Sequence, residues 1–243
     1  MIYTEHIEYR ITDVRDGVKA HLAEGGTGMQ RIGIMGGTFN PIHTGHLMLA
    51  EWVRDELKLD EVWFIPTGSS YMKDSREILP GRERLHMVEL AIEGSPFFKC
   101  LDIEVVREGR TYSYETLEQL KSVYPEDEFY FIVGADCLFT IESWKNPARI
   151  LGICTLAAAV RGDVSLKEME AKKKELERKF CSEQEIKLIP FLQLSISSTE
   201  IRRRIFQRRS IRYLVPDRVI AYIEEKGYYR EKDESVEKDQ ESS

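Results

Sequence analysis

The stretch RIGIMGGTFNPIHTGHL, residues 31–47, decides how this chain reads. An apolar run over 31–36 breaks at the pair Gly36 and Gly37, which predicts a short strand, buried on both faces, that hands over to a loop. The loop then reaches His43 and His46, where apolar residues resume at helical spacing and predict a helix over 46–57. Glycines at the strand exit remove side chains where a backbone must pass close to a ligand. Two histidines three apart share one side of a helix's first turn. The helix end adds unpaired N–H donors and the positive end of the helix dipole. Such a pocket suits a negatively charged oxygen. The residues alone leave three roles open for the histidines: phosphate binding, capping or core packing, and metal ligation, the last without a third Cys or His nearby. Neither G-x-G-x-x-G nor a Lys after a second Gly is present, which counts against a dinucleotide site and a P-loop.

Outward from this segment, strand and helix patterns alternate. Strands are expected over 61–66, 98–106, 128–133, 153–160 and 186–189, and helices over 82–92, 113–123, 166–180, 199–208 and 216–225. Hairpin signals are missing. The pattern is that of an α/β fold, a Rossmann-like doubly wound parallel sheet with helices on both faces, whose ligands bind beyond the carboxyl ends of the strands. The 243 residues, 42% apolar and 32% charged, suffice for one domain over 29–230. An N-terminal extension of unknown role, 1–28, precedes it. A tail over 231–243, acidic and almost without aliphatic side chains, is expected to be disordered. No apolar run approaches the ~18 residues of a membrane span, and acids stand where a signal peptide needs its apolar core. Cys100, Cys137, Cys154 and Cys181 form no C-x-x-C pair and are expected to be reduced and structural. The expectation is a cytoplasmic protein without membrane association.

Of the net charge of −7, residues 1–28 carry −2 and residues 231–243 carry −4, so the body is close to neutral. That excludes a long nucleic-acid duplex as partner, which calls for a strongly basic body. A small anion needs only a local cluster, and Arg202, Arg203, Arg204, Arg208, Arg209 and Arg212 supply one. The segment ISSTEIRRR, 196–204, reads as a helix start, with Ser197 as cap and Glu200 completing a capping box. Capping leaves Ser198, Thr199 and Arg202 without a role, and donors beside guanidinium groups at a helix N-terminus make a second anion site. Arg208 and Arg209 read as a solvated basic face.

GGTFNPIHTGH (36–46) and ISSTEIR (196–202) resemble the two signature motifs of the HxGH nucleotidyltransferase superfamily, with Asn40 where an Asp is frequent. The resemblance implies that His43, His46 and Arg202 act on the triphosphate, and that Gly36, Gly37, Thr38, Phe39, Ser197, Ser198 and Thr199 join them in binding ATP. FIPTG (64–68), GRTYSYETL (109–117), FIVGAD (131–136) with Trp144, VRG (160–162) and YLVP (213–216) extend it. In this order, over residues 30–229, they are similar to bacterial nicotinate-nucleotide adenylyltransferases. Adenylyl transfer from ATP to nicotinate mononucleotide is then implied, without a covalent intermediate and with Mg²⁺ brought by the ATP rather than held by a protein site. The acceptor would contact Lys73, Thr111, Tyr112, Asp136, Trp144 and Arg161: an aromatic face from Trp144, N–H donors around Thr111 and Tyr112, a cation at Arg161 and a ribose acceptor at Asp136. Duller roles stay open, with Trp144 as core, Tyr112 as a strand-edge aromatic and Asp136 as the cap of a helix over 137–141. SSYMK (69–73) departs from the family's Pro-Pro-His-Lys-like run. The rivals are another acceptor on the same fold, such as pantetheine phosphate, or glycerol phosphate with CTP, and a non-catalytic nucleotide-binding regulator. Partners are small molecules, and self-association stays open.

Overall fold

The apolar run does form a strand, β1 (Arg31–Gly37), and it lies in the interior of a six-stranded sheet. The structure, a computed structural model, describes residues 28–70, 78–160, 166–180, 184–192 and 195–230. Lys73, Arg161, Cys181, the extension before Gly28 and the acidic tail lie outside the described residues. After β1 come α1 (Thr44–Glu56), β2 (Glu61–Pro66), the two-residue β3 (Ser69–Ser70), α2 (Gly81–Ile92), β4 (Phe98–Cys100) and β5 (Arg110–Thr111). They are followed by α3 (Ser113–Val123), β6 (Glu128–Gly134), α4 (Ala135–Thr140), α5 (Pro147–Ile153) and β7 (Thr155–Val160). The described body closes with α6 (Leu166–Phe180), β8 (Ile186–Pro190), α7 (Ser198–Phe206) and α8 (Asp217–Lys226).

The sheet runs β4-β2-β1-β6-β7-β8, and every pairing is parallel. From β1 the chain winds outward through β2 and β4, then returns to the other side of β1 and winds outward again through β6, β7 and β8. The turning point falls between β1 and β6, so a crevice is expected at their carboxyl ends. Successive side chains of a strand point to opposite faces, and here both faces are packed. Ile32, Ile34, Trp63, Ile65, Phe129, Phe131, Leu156 and Ala158 enter one apolar cluster. Met35, Val62, Phe64, Tyr130, Ile132, Ala157 and Ala159 enter the other. This is why the central strands read as unbroken apolar runs.

The expected strand over 98–106 ends early, at Cys100. The N–H of Leu101 still donates to Phe64 O, at 2.9 Å, but those of Val105 and Val106 both donate to Asp102 O, at 2.7 and 3.0 Å. Leu101 and Ile103 are buried in a turn, so their apolar character misled the strand reading. The apolar stretch before β7 splits instead into α5 and β7, and α5 was missed in the sequence. Its signals are local: Asn146 in the left-handed region (φ 52°) and Pro147 in the first turn. Asp136 does not cap a helix over 137–141. Gly134 is the N-cap and Asp136 sits in the first turn of α4, exposed, where its charge still favours the dipole.

Candidate active site at the turning point of the sheet

The loop leaving β1 is shaped by its own side chains. Phe39 adopts φ 47° and turns its ring into the core, 3% exposed, edge-to-face with the His46 ring at 5.1 Å between centroids. A Cβ on Gly37 would lie 2.9 Å from that ring, so residue 37 must be glycine to make room for Phe39. The close approach at Gly37 is made by a neighbouring side chain, the Phe39 ring.

His43 and His46 take the N-cap and N3 positions of α1, with rings stacked at 3.7 Å between centroids. The His43 N–H donates to His46 Nδ1 at 3.2 Å. An accepting Nδ1 puts the proton of a neutral imidazole on Nε2, which is then a donor. One expectation needs correction: the first-turn N–H groups are partly spent. The Thr44 N–H donates to Leu214 O at 2.9 Å, and the His46 N–H to His43 O at 2.9 Å. The YLVP segment thus closes the end of α1, with Thr44 Oγ1 also donating to Tyr213 O at 3.1 Å. Imidazole donors therefore matter more here than helix-end amides.

The second motif docks on the first. Ser198 Oγ donates to Pro41 O at 2.9 Å, and Arg202 Nη1 to Asn40 O at 3.0 Å. Thr199 Oγ1 lies 3.5 Å from Arg202 Nη2. Ser197 caps α7 as expected, its hydroxyl accepting the Glu200 N–H at 3.2 Å, but the Glu200 carboxylate pairs with Arg203 at 2.7 Å instead of completing the box. Asn40, where the resemblance led us to expect an Asp, is 4% exposed, and its Oδ1 accepts from Tyr229 Oη at 2.8 Å and from the Leu79 N–H at 3.2 Å. Arginine and C-terminal tyrosine thus grip the same residue.

Beside this junction lies a cavity of about 310 Å³, walled by Gly36, Gly37 and Thr38 on one side and by Thr111, Tyr112 and Trp144 on the other. Tyr112 is the N-cap residue of α3, without a side-chain cap, so the positive end of that helix faces the cavity. Trp144 packs on the core, its ring centroid 6.1 Å from that of Phe131, and also lines the cavity. Asp136 does not line it. Sequence reading missed Thr67, Glu104 and Arg84. Thr67 and Glu104 line the cavity, and Arg84 bonds to the backbone of both Thr38 and Thr67. Buried Thr67 Oγ1 and Trp144 Nε1 have no hydrogen-bond partner among the described residues. Buried polar atoms are seldom left so, and both residues belong to the wall of the cavity. Among the described residues no group of three or more His, Cys, Asp or Glu could hold a metal ion, and no helix is long and apolar enough to cross a membrane. Cys100 and Cys154 carry free thiols, and burial pushes that of Cys154 up to about 12.

A cytidylyltransferase-like family profile matches residues 34–204. A curated protein of Lachnoclostridium phytofermentans, named probable nicotinate-nucleotide adenylyltransferase, is 40% identical over 201 residues, covering 83% of this chain and 100% of the relative. A protein of Dehalococcoides mccartyi with the same name is 42% identical over 201 residues, covering 82% and 97%. Among solved structures, Plasmodium falciparum nicotinic acid mononucleotide adenylyltransferase complexed with NaAD matches with a TM-score of 0.67 at 22% identity, over 82% of this chain and 97% of that one. That last likeness is one of fold.

Proposed function

The chain belongs to the cytidylyltransferase-like family, and from that membership we propose that it transfers the adenylyl group of ATP to nicotinate mononucleotide. A phosphate oxygen of the mononucleotide attacks the α-phosphorus, the bond to the bridging α–β oxygen breaks, and pyrophosphate leaves. The product is nicotinate adenine dinucleotide. The observation that carries this reading is the docking of Ser198 and Arg202 on the Asn40–Pro41 carbonyls, which joins two anion-binding ends beside a cavity sized for a flat ring.

The acceptor phosphate is already an anion near neutral pH, so alignment and charge stabilisation suffice. His46 donates from Nε2 to the α-phosphate region, with His43 stacked behind it, while Arg202 and the Ser197–Thr199 turn take the leaving pyrophosphate. Gly36, Gly37, Thr38 and the backbone of Phe39 line the path of the triphosphate. Trp144 and the uncapped end of α3 at Thr111 and Tyr112 receive the pyridine ring and its carboxylate; a positive helix end prefers the acid to the amide. Lys73, Arg161 and Asp136 keep the acceptor roles that the family pattern gives them, for phosphate and ribose. The donors at the junction are imidazoles and a guanidinium, which do not fit a protein-held Mg²⁺. The ion would ride on the triphosphate oxygens and water.

The test is pyrophosphate release with Mg²⁺ and either ATP or CTP, offering nicotinate mononucleotide, nicotinamide mononucleotide, pantetheine phosphate and glycerol phosphate in turn. Turnover is expected with ATP and nicotinate mononucleotide. A preference for CTP, or for another acceptor, would replace the reading with a sister activity, and no turnover at all would leave a nucleotide-binding regulator.

A further inference from the structure

Two charges lie in the interior and take no part in the chemistry above. Arg84, on α2, is 2% exposed, and Glu104, in the turn after β4, is 7% exposed. No ion pair joins them among the described residues. Removing a charge from water costs several kcal/mol unless its hydrogen-bonding capacity is filled, and each is filled in its own way.

Among the described residues Arg84 donates only to carbonyls: Nε to Leu79 O at 2.9 Å, Nη1 to Thr38 O at 2.7 Å, and Nη2 to Thr67 O at 2.6 Å and Gly68 O at 3.4 Å. The Glu104 carboxylate accepts from Thr116 Oγ1 at 2.8 Å, and the nearby Thr111 hydroxyl and Gly68 N–H also favour its charged form. The peptide group between Thr67 and Gly68 therefore lies between the two, its carbonyl bonded by Arg84 at 2.6 Å and its N–H turned to the Glu104 side. Its C=O faces a buried cation and its N–H a buried anion. Because the C=O and N–H of a trans peptide point in opposite directions in one plane, a cation on one side and an anion on the other favour one orientation of that plane. Gly68 completes the fit, since a Cβ there would stand 2.1 Å from Glu104 O. The same two side chains reach the β1 exit through Thr38 and the α3 start through Thr111 and Thr116. What the clamp leaves over is the Thr67 hydroxyl, buried in the cavity wall.

We propose that Thr67 Oγ1 is a specificity-determining contact to the acceptor nucleotide, and that Arg84 and Glu104 are positioning residues that fix it by clamping the Thr67–Gly68 peptide. The inference rests on the cavity being the acceptor site. Charged groups on both sides hold the plane more stiffly than neutral ones, which gives a reason for keeping two costly charges in a wall that apolar residues could fill.

The experiment compares wild type with Thr67→Val, Thr67→Ser and Glu104→Gln, measuring kcat, KM for nicotinate mononucleotide, KM for ATP and thermal midpoint. Thr67→Val is expected to raise the acceptor KM about tenfold, the loss of one buried hydrogen bond at about 1.4 kcal/mol, with the ATP KM within about twofold of wild type. Thr67→Ser restores the hydroxyl and should stay within about threefold of wild type in acceptor KM. Glu104→Gln keeps the shape and loses the charge, and should shift the acceptor KM in the direction of Thr67→Val while sparing the ATP KM. An unchanged acceptor KM in Thr67→Val, or both KM values rising together in Glu104→Gln, would overturn the inference. If Glu104→Gln folds poorly, the two Thr67 variants decide alone, because neither disturbs a charge. Wild-type turnover is the control that separates the two levels: activity with nicotinate mononucleotide but no effect at Thr67 sinks only this inference, whereas an inactive wild type sinks the functional reading beneath it.

Discussion

The two halves of the site are built on opposite plans. The polyphosphate half comprises a loop of eleven consecutive residues, 36–46, and the first turns of α7, locked by two side-chain bonds to backbone carbonyls, Ser198 to Pro41 and Arg202 to Asn40. The acceptor half draws Thr67, Glu104, Thr111, Tyr112 and Trp144 from separate segments, and two buried charges hold it in place. Phosphate recognition needs a few donors near one point, and a single loop with a helix start can present them. A flat ring needs walls on several sides, which only several strand exits can provide.

The largest expected effect breaks the first half. His46→Ala removes the Nε2 donor and should lower kcat at least ~10²-fold, as loss of one preorganised donor does, with the acceptor KM within a few-fold of wild type. Steady-state kinetics with each substrate varied in turn checks this, and near-normal turnover would take His46 out of the chemistry. Arg202→Ala should cost about 30-fold in kcat/KM for ATP, the scale of a lost charge-assisted hydrogen bond. A rise confined to the acceptor KM would blur the division between the halves.

Trp144→Phe tests the other half more gently. The aromatic face is kept and the unpartnered indole N–H is lost, so the acceptor KM should rise about threefold to tenfold while the ATP KM stays level. The smallest effects come from two carboxyls of opposite sign. Glu142, hydrogen-bonded by Lys172 and Lys179 on α6, has its carboxyl held down at about 2. Its contribution to stability is present above the ordinary value of 4.5 and fades as pH falls toward 2. The deficit of Glu142→Gln should therefore be small at pH 7 and close on acidification. Burial raises the carboxyl of Glu104 instead, against its hydrogen bonds from Thr116 and Thr111. Its contribution is full below 4.5 and is lost as pH rises through the raised value. Wild type should thus lose stability relative to Glu104→Gln as pH rises. Denaturant titrations from pH 3 to 8 would show the two differences running in opposite directions.

How much of this was legible follows the same division. The strand exit, the two histidines and the Ser-Ser-Thr…Arg cluster could be read from contiguous residues, and the structure brings them together. The expected amide donors at α1 were partly taken by Leu214 and by His43's own carbonyl, a contact across about 170 residues that no local pattern signals. The buried ring of Phe39, packed against His46, is likewise invisible to a local pattern. Leu101 and Ile103 extended a strand on paper because a buried turn carries the same apolar letters as a buried strand. Arg84 and Glu104 gave no signal at all: a charged residue at an ordinary helix or loop position looks solvated until the chain closes over it.

By itself the sequence determined the α/β alternation, the place of the loop that leaves β1 and the two motifs that meet beside it. Periodicity and short motifs act between neighbours in the chain, and neighbours are visible in a string of letters. Only the tertiary structure decided which carbonyls Ser198 and Arg202 would hold, which glycine made room for a ring, and that one peptide plane would stand between a buried arginine and a buried glutamate. Those outcomes depend on distances between segments far apart in the chain, set by the order of strands in the sheet and the lengths of the loops that leave them.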